Sequence, residues 1–357
     1  MTLHSLPPTQ PNQPKTTTET RYMSKILNFL VVLYIKGGVL PWFLAIAVLG
    51  FGLSSEYFLS QTNLMGIAMH ATYLILVAMA QMLVMLTAGL DLSVGVMIAM
   101  TSVTSSLTMG AMWSGHGSGW EAVLIGSVVG LCSCAGIGLV NGIGVAWFRV
   151  PPFIMTFGMS SVVLGLALSL TSGIPIYGMP PSFANIFGYG TWFDIPVPIL
   201  VTLPCIGLMY IFLNWTRIGR YIYAIGGNLR AAQLSGINTK FCLIIAYTVA
   251  SLFTGIAALL ITARLETGES NLGASYPLLS IAACAIGGVS LQGGVGKLSN
   301  VVLGAAFLIL IQNGMNLMRI NSYYQMVVIG ALLITAIIAE YLRQRLLKTY
   351  VTVAKSK

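Results

Sequence analysis

From residue 38 to residue 341 the chain is a succession of long apolar runs. Short polar connections, or connections rich in Gly and Pro, separate them. A helix needs about 20 mostly apolar residues to cross the hydrocarbon core of a bilayer. The runs at 38–54, 63–86, 94–112, 122–146, 153–171, 197–214, 241–262, 277–290, 299–318 and 324–341 therefore predict an all-α integral membrane protein with about ten transmembrane helices. The first and eighth runs are short. The eighth fits a re-entrant segment as well as a span, so the count lies between nine and eleven. Gly-rich stretches at 89–95 and 287–296 are expected to break helices at membrane depth, where irregular backbone is tolerated if it is covered by protein or lines a cavity. Residues 172–196, with their Pro, Gly and aromatic side chains, predict a structured interfacial loop.

The flanks differ. Residues 1–20 are rich in Pro, Gln and Thr and cannot bury enough apolar area to order themselves. Their first apolar run comes too late for a secretory signal. The expected organisation is a disordered, basic tail at 1–37, a transmembrane unit at 38–341 and a basic tail at 342–357. Only 7% of the residues are charged, against about 25% in soluble domains. The distribution of these few charges is informative. Of the 17 Lys and Arg residues, all but Arg264 and Arg319 fall on one side when ten spans are threaded from a cytoplasmic N-terminus. Glu56, Glu121, Asp194, Glu266 and Glu269 fall on the other side. This is the positive-inside bias, and it predicts both termini in the cytoplasm. The net charge of +9 is accounted for in the same way, and no basic patch with interleaved aromatics points to nucleic acid.

Little in the spans could do covalent chemistry. The five cysteines lie in apolar runs without metal-ligand spacing and are read as small packing residues. His70 reads as a packed helix residue. Gly293-Gly294-Val295-Gly296-Lys297-Leu298 resembles a phosphate-binding loop, but Leu291 and Leu298 stand where Gly and Ser or Thr are required. No catalytic residue, cofactor or metal site is expected, and any ATP site lies on another chain. Asp91 has two readings: a cap for a helix beginning at Leu92, or a polar group on a transport path. The spacing Gly, apolar, Asp or Ser, Leu, two residues, Gly occurs at Gly89–Gly95 and again at Gly288–Gly294. This echo hints at an internal repeat. Threading puts both copies on one side, which does not suit an inverted five-plus-five arrangement.

Three segments together resemble the permease subunits of ribose-, arabinose- and xylose-type ABC importers. They are Gly89-Leu90-Asp91-Leu92-Ser93-Val94-Gly95; Asn141-Gly142 with Arg149-Val150-Pro151-Pro152-Phe153-Ile154-Met155-Thr156-Phe157-Gly158; and Gly219-Arg220-Tyr221-Ile222-Tyr223-Ala224-Ile225-Gly226-Gly227-Asn228 continuing through Ala231-Ala232-Gln233-Leu234-Ser235-Gly236-Ile237. Ile286-Gly287-Gly288-Val289-Ser290-Leu291 adds a fourth. The likeness spans roughly residues 60–340. It implies a transport subunit and not an enzyme, with an ABC ATPase at the cytoplasmic face and a periplasmic sugar-binding protein at the outer face. It also implies a second permease subunit, as a homodimer or a heterodimer, in the bacterial inner membrane.

Such permeases carry a cytoplasmic helix that docks in the ATPase, with Glu-Ala-Ala, three residues, then Gly. The basic loop 215–240 carries Arg230-Ala231-Ala232-Gln233-Leu234-Ser235-Gly236. Asn228 suits the N-cap and Gly236 the left-handed terminator. The predicted coupling residues are Asn228, Arg230, Ala231, Ala232, Ser235 and Gly236. Arg230 departs from the general Glu. Polar residues in the spans, namely Asp91, Asn141, Thr156, Ser160, Gln312, Asn313 and Asn316, are the candidate translocation path. Gly126-x-x-x-Gly130 and Gly138-x-x-x-Gly142 predict close helix packing, within the chain or across a dimer. Other readings are a secondary active transporter of a small polar solute, a channel, or an ABC permease for a branched-chain amino acid or a signalling sugar derivative.

Overall fold

A computed structural model describes residues 40–113 and 119–355. The predicted tail 1–37 lies outside the described residues. The chain is helical nearly throughout: α1 Leu40–Ser54, α2 Gln61–Leu86, α3 Val94–Met112, α4 Trp120–Ala146 and α5 Pro152–Thr171. A helical turn at Pro181–Phe183, a π turn at Ala184–Gly188 and a two-stranded hairpin (β1 Thr191–Trp192, β2 Ile195–Pro196) give the predicted interfacial loop its structure. There follow α6 Val197–Trp215, α7 Arg217–Gly227, α8 Leu229–Leu234, α9 Thr239–Leu265, α10 Tyr276–Ile286, α11 Leu298–Leu317 and α12 Ser322–Lys355. Among the described residues eight helices are long and apolar enough to cross a membrane, and α1 and α10 are shorter. α12 continues past 341 into the segment expected to be a tail.

α2 is the centre of the bundle. Every residue from Ala71 to Leu86 is buried, as expected of a helix that is apolar all round. It packs on α6, α9, α10 and α11. The outer helices α4, α5, α6 and α12 leave most of their residues unburied, the surface a lipid environment requires. Both glycine pairs in α4 pack within the chain. Gly126 and Gly130 face Ser105 and Met109 or Thr101 of α3, while Gly138 and Gly142 face Tyr247, Ser251 and Ile244 of α9. Close helix approach through small residues is thus an internal device here.

Two connections fold back into the bundle. Residues 87–93 leave α2 at the end of the molecule that carries Arg149, Arg217, Arg220, Arg230, Lys240 and Lys297, called here the basic end. Residues 266–275 leave α9 at the far end, where Ile176 and Gly268 exchange backbone hydrogen bonds of 2.9 Å. They run past Ser106 and Ser102 of α3, with the Glu269 N–H donating to Ser102 Oγ at 3.3 Å. The second connection crosses the first turn of α3, where Gly273 touches Gly95, and Pro277 of α10 packs on the same glycine. A Cβ at Gly273 would collide with the Gly95 carbonyl, so only glycine admits this crossing.

The packing has an internal symmetry. α4 lies on α9 as α11 lies on α2; α3 on α4 as α10 on α11; α3 on α9 as α10 on α2; α3 on α5 as α10 on α12. Exchanging α2–α5 with α9–α12 reproduces the arrangement, and the two re-entrant connections enter from opposite ends. This is an inverted repeat. The Gly288 stretch is therefore not the counterpart of the Asp91 stretch; residues 266–275 are. The Gly288 stretch instead folds as a tight turn against the end of α2, with the Gly294 N–H donating to the Leu86 carbonyl at 3.0 Å.

Candidate functional site

At the basic end the chain builds a two-helix elbow between α6 and α9. Thr216 caps α7, its hydroxyl accepting from the Gly219 N–H at 3.0 Å. α7 lies across the end of the bundle and buries Gly219, Ile222 and Ile225. Asn228 leaves helical geometry and starts α8, its Oδ1 accepting from the Ala231 N–H at 2.9 Å, which is the expected cap. The end of α8 is also as expected: Gly236 takes φ +79°, and the Ile237 N–H returns to the Ala232 carbonyl at 3.2 Å. Ser235 Oγ donates to the Ala231 carbonyl at 2.9 Å.

The predicted coupling residues do not all face the same way. Ala232 is buried against Ile225 and Cys242 and holds α8 to the bundle. Arg230, Ala231 and Ser235 are exposed. So are Leu229 and Leu234, the latter 84% exposed at the basic end. Beneath α8 lies a cavity of about 680 Å³ lined by Arg149, Lys240, Asn228 and Gln233 among others, with no carboxylate on its wall. Lys240 sits 5.0 Å above the Trp147 ring. The surface offered here is basic with protruding leucines.

The path candidates divide into three places. Asp91, Asn141 and Thr156 form a closed knot around the start of α3, all three fully or almost fully buried. Asp91 Oδ1 accepts from the Ser93 N–H (2.8 Å) and the Ser93 hydroxyl (2.6 Å). Asn141 Nδ2 donates to Ser93 Oγ at 2.8 Å. Thr156 Oγ1 accepts from the Leu92 N–H and donates to the Leu90 carbonyl, each at 3.1 Å. Oriented to donate to the Asp91 carbonyl at 3.0 Å and accept its N–H at 3.2 Å, the Gln81 amide clamps the same peptide from α2. Asp91 thus turns the chain into α3 without capping it: the helix begins at Val94 and not at the expected Leu92, and Ser93 holds the N-cap position. Replacing Asp91 with Ala should destabilise the detergent-purified chain by about 1–3 kcal/mol, by stranding the Ser93 donors. Asn should cost less, because its Oδ1 can still accept from Ser93. Thermal unfolding would compare the two.

Ser160 stands apart from this knot. It lines a cleft of about 190 Å³ where the 266–275 connection crosses α3, with Gly95, Asn271, Gly273 and Pro277. Gln312, Asn313 and Asn316 line a third space near the far end, between α2, α10 and α11. Asn63 and Asn313 exchange amide hydrogen bonds of 3.0 and 2.9 Å across α2 and α11.

Over residues 63–337 the chain matches the family described as branched-chain amino acid transport system / permease component. It is similar to the D-allose transport system permease protein AlsC of Escherichia coli K12, with 34% identity over 300 residues, 84% of this chain and 90% of that protein. The ribose import permease protein RbsC of the same strain is 34% identical over 296 residues, covering 81% and 89%. Its L-arabinose transport system permease protein AraH is 33% identical over 287 residues, covering 80% and 85%. No solved structure gives a significant match.

Proposed function

This chain belongs to the family described as branched-chain amino acid transport system / permease component, and from that premise we propose that it is the membrane permease of an ABC importer for a sugar. The observation that carries the coupling half of this reading is α8. It is a helix capped at both ends and held down by Ala232, and it presents Leu229, Arg230 and Leu234 outward at the basic end. A sugar is favoured over a branched-chain amino acid because the relatives similar along most of the chain are named for allose, ribose and arabinose.

In this reading the basic end faces the cytoplasm of a bacterial inner membrane, and the ATPase docks on α8. A periplasmic sugar-binding protein delivers cargo to the far end, and two permease subunits pair around the path. Closure of the ATPases on ATP pushes α7 and α8. These lie on the turn that joins Leu86, Gly226 and Gly294, so a push there reaches α2 and the Asp91 knot. Ser160 and the re-entrant crossing lie along the path, while Asp91, Asn141 and Thr156 keep the start of α3 in place.

Reconstituted with its ATPase and binding protein, the chain should take up radiolabelled D-allose, D-ribose or L-arabinose when ATP is enclosed on the ATPase side. Uptake should survive a proton and sodium uncoupler. Uptake that collapses with the uncoupler while ATP remains would instead make the chain a secondary transporter, and ATP-driven uptake of L-leucine alone would move the substrate to the amino-acid class.

A further inference from the structure

The far end holds an open-mouthed cavity of about 320 Å³, lined by α2, α11 and the first turn of α10. This is the lower end of the range for small-molecule pockets, about 300–1,000 Å³. His70, Tyr73, Tyr276, Gln312, Asn313 and Asn316 give it its chemistry. No Lys, Arg, Asp or Glu lines it. Arg264 is not part of the wall: it donates to the Gly188 carbonyl at 3.3 Å and stacks 4.3 Å from the Tyr189 ring.

Two kinds of polar group meet here. Asn313 and Asn316 are fixed, the first by Asn63 and the second by Gln325, whose Nε2 donates to Asn316 Oδ1 at 2.7 Å. Tyr73 is the opposite case. It is 95% buried, and its hydroxyl has no hydrogen-bond partner. Stranding such a group costs about 1–3 kcal/mol, so in an apolar helix a phenylalanine would be the more stable choice. Gln312 and Tyr276 likewise make no side-chain hydrogen bond among the described residues. The His70 ring stands edge-on to Tyr73, with centroids 6.3 Å apart.

We propose that this cavity is a saccharide-binding site belonging to the permease itself, occupied after release from the binding protein and before passage toward the basic end. The proposal rests on the importer reading above. A sugar brings neutral hydroxyls that both donate and accept, which suits a wall of phenols, amides and an imidazole. Its apolar ring faces suit Tyr73 and Tyr276. A zwitterionic amino acid would have to bury a carboxylate and an ammonium with no opposite charge on the wall, which is strongly unfavourable. Tyr73, Tyr276 and Gln312 supply the hydrogen bonds still unmade, and Asn313 and Asn316 set the shape.

Saturation-transfer NMR on the detergent-purified chain, with D-allose, D-ribose and L-arabinose as separate probes, tests this without the ATPase or the binding protein. At least one sugar should receive saturation, and L-leucine should receive none. Tyr73→Phe, which removes only the hydroxyl, should raise the sugar Kd about fivefold, the worth of one neutral hydrogen bond. Gln312→Ala should raise it by about as much or more, and Cys132→Ser, exposed on α4, should leave it unchanged. No transfer to any of the three sugars, wild-type affinity in both variants, or displacement of sugar by L-leucine would each overturn the site. The uptake assay separates this from failure of the importer reading. ATP-driven sugar uptake with unaltered KM in Tyr73→Phe and Gln312→Ala removes the site and leaves the importer intact.

Discussion

Replacing Leu234 with aspartate is expected to lower sugar-stimulated ATP hydrolysis by the assembled transporter about thirtyfold, with the chain still folded and in the membrane. Leu234 is exposed at the last position of α8, so the change breaks no internal contact. A protruding leucine beside Arg230 has the form of an anchor for an apolar groove rimmed with carboxylates. Anchors of this kind are worth about 2 kcal/mol or more, which is the thirtyfold. Aspartate removes the apolar contact and repels an acidic rim. Leu234→Ala should fall between the two, because it loses area without adding charge. Ala232 marks the contrast. It is buried against Ile225 and Cys242, so a bulky residue there should lower thermal stability before it affects docking. Full stimulation in Leu234→Asp would remove α8 as the docking element.

The second large effect is structural. Gly273→Leu should prevent recovery of folded chain, because the new side chain meets the Gly95 backbone at the point where the 266–275 connection crosses α3. The carbonyl it strikes belongs to α3, which is itself held by the Asp91 knot and by α4, so neither partner can withdraw cheaply. Overpacking in a dense interior costs about 1–3 kcal/mol when side chains can shift, and more when backbone must move. Gly158→Leu is the control, since a Cβ there meets open space on α5. Size-exclusion profiles from membranes should show a monodisperse peak for Gly158→Leu and aggregate for Gly273→Leu. A monodisperse, sugar-transporting Gly273→Leu protein would mean that the crossing is not part of the working fold.

The helices were readable because twenty apolar residues in a row leave the chain few alternatives in lipid. The elbow at the basic end was readable for a different reason: Asn228 and Gly236 carry their conformations in their side chains or the lack of one. Residues 266–275 were not readable as a re-entrant segment. With Thr267, Glu269, Ser270 and Asn271 they look like an exposed connection, and only the fit of Gly273 on Gly95 shows their depth. The Gly288 echo misled because its glycines serve a turn against Leu86 and not a repeat. Asp91 and Asn141 stand out in the sequence as polar residues in apolar runs, yet a sequence does not distinguish a path from a knot. That distinction depends on burial and on Ser93, which joins the two. Tyr73 and Leu234 carried no signal, since an aromatic in an apolar run and a leucine on a short helix are ordinary until their surroundings are known.

Docking of an ATPase on α8, as proposed, is open to a direct test. A photo-reactive benzoylphenylalanine placed at position 234, with a second placed at Phe193 on the exposed hairpin of the far end, tests it in membranes that contain the complete transporter. An adduct of permease and ATPase is expected on irradiation of the 234 variant and none from the 193 variant. An ATPase adduct from position 193, or none from 234 while the ATPase still co-purifies with the chain, would contradict it.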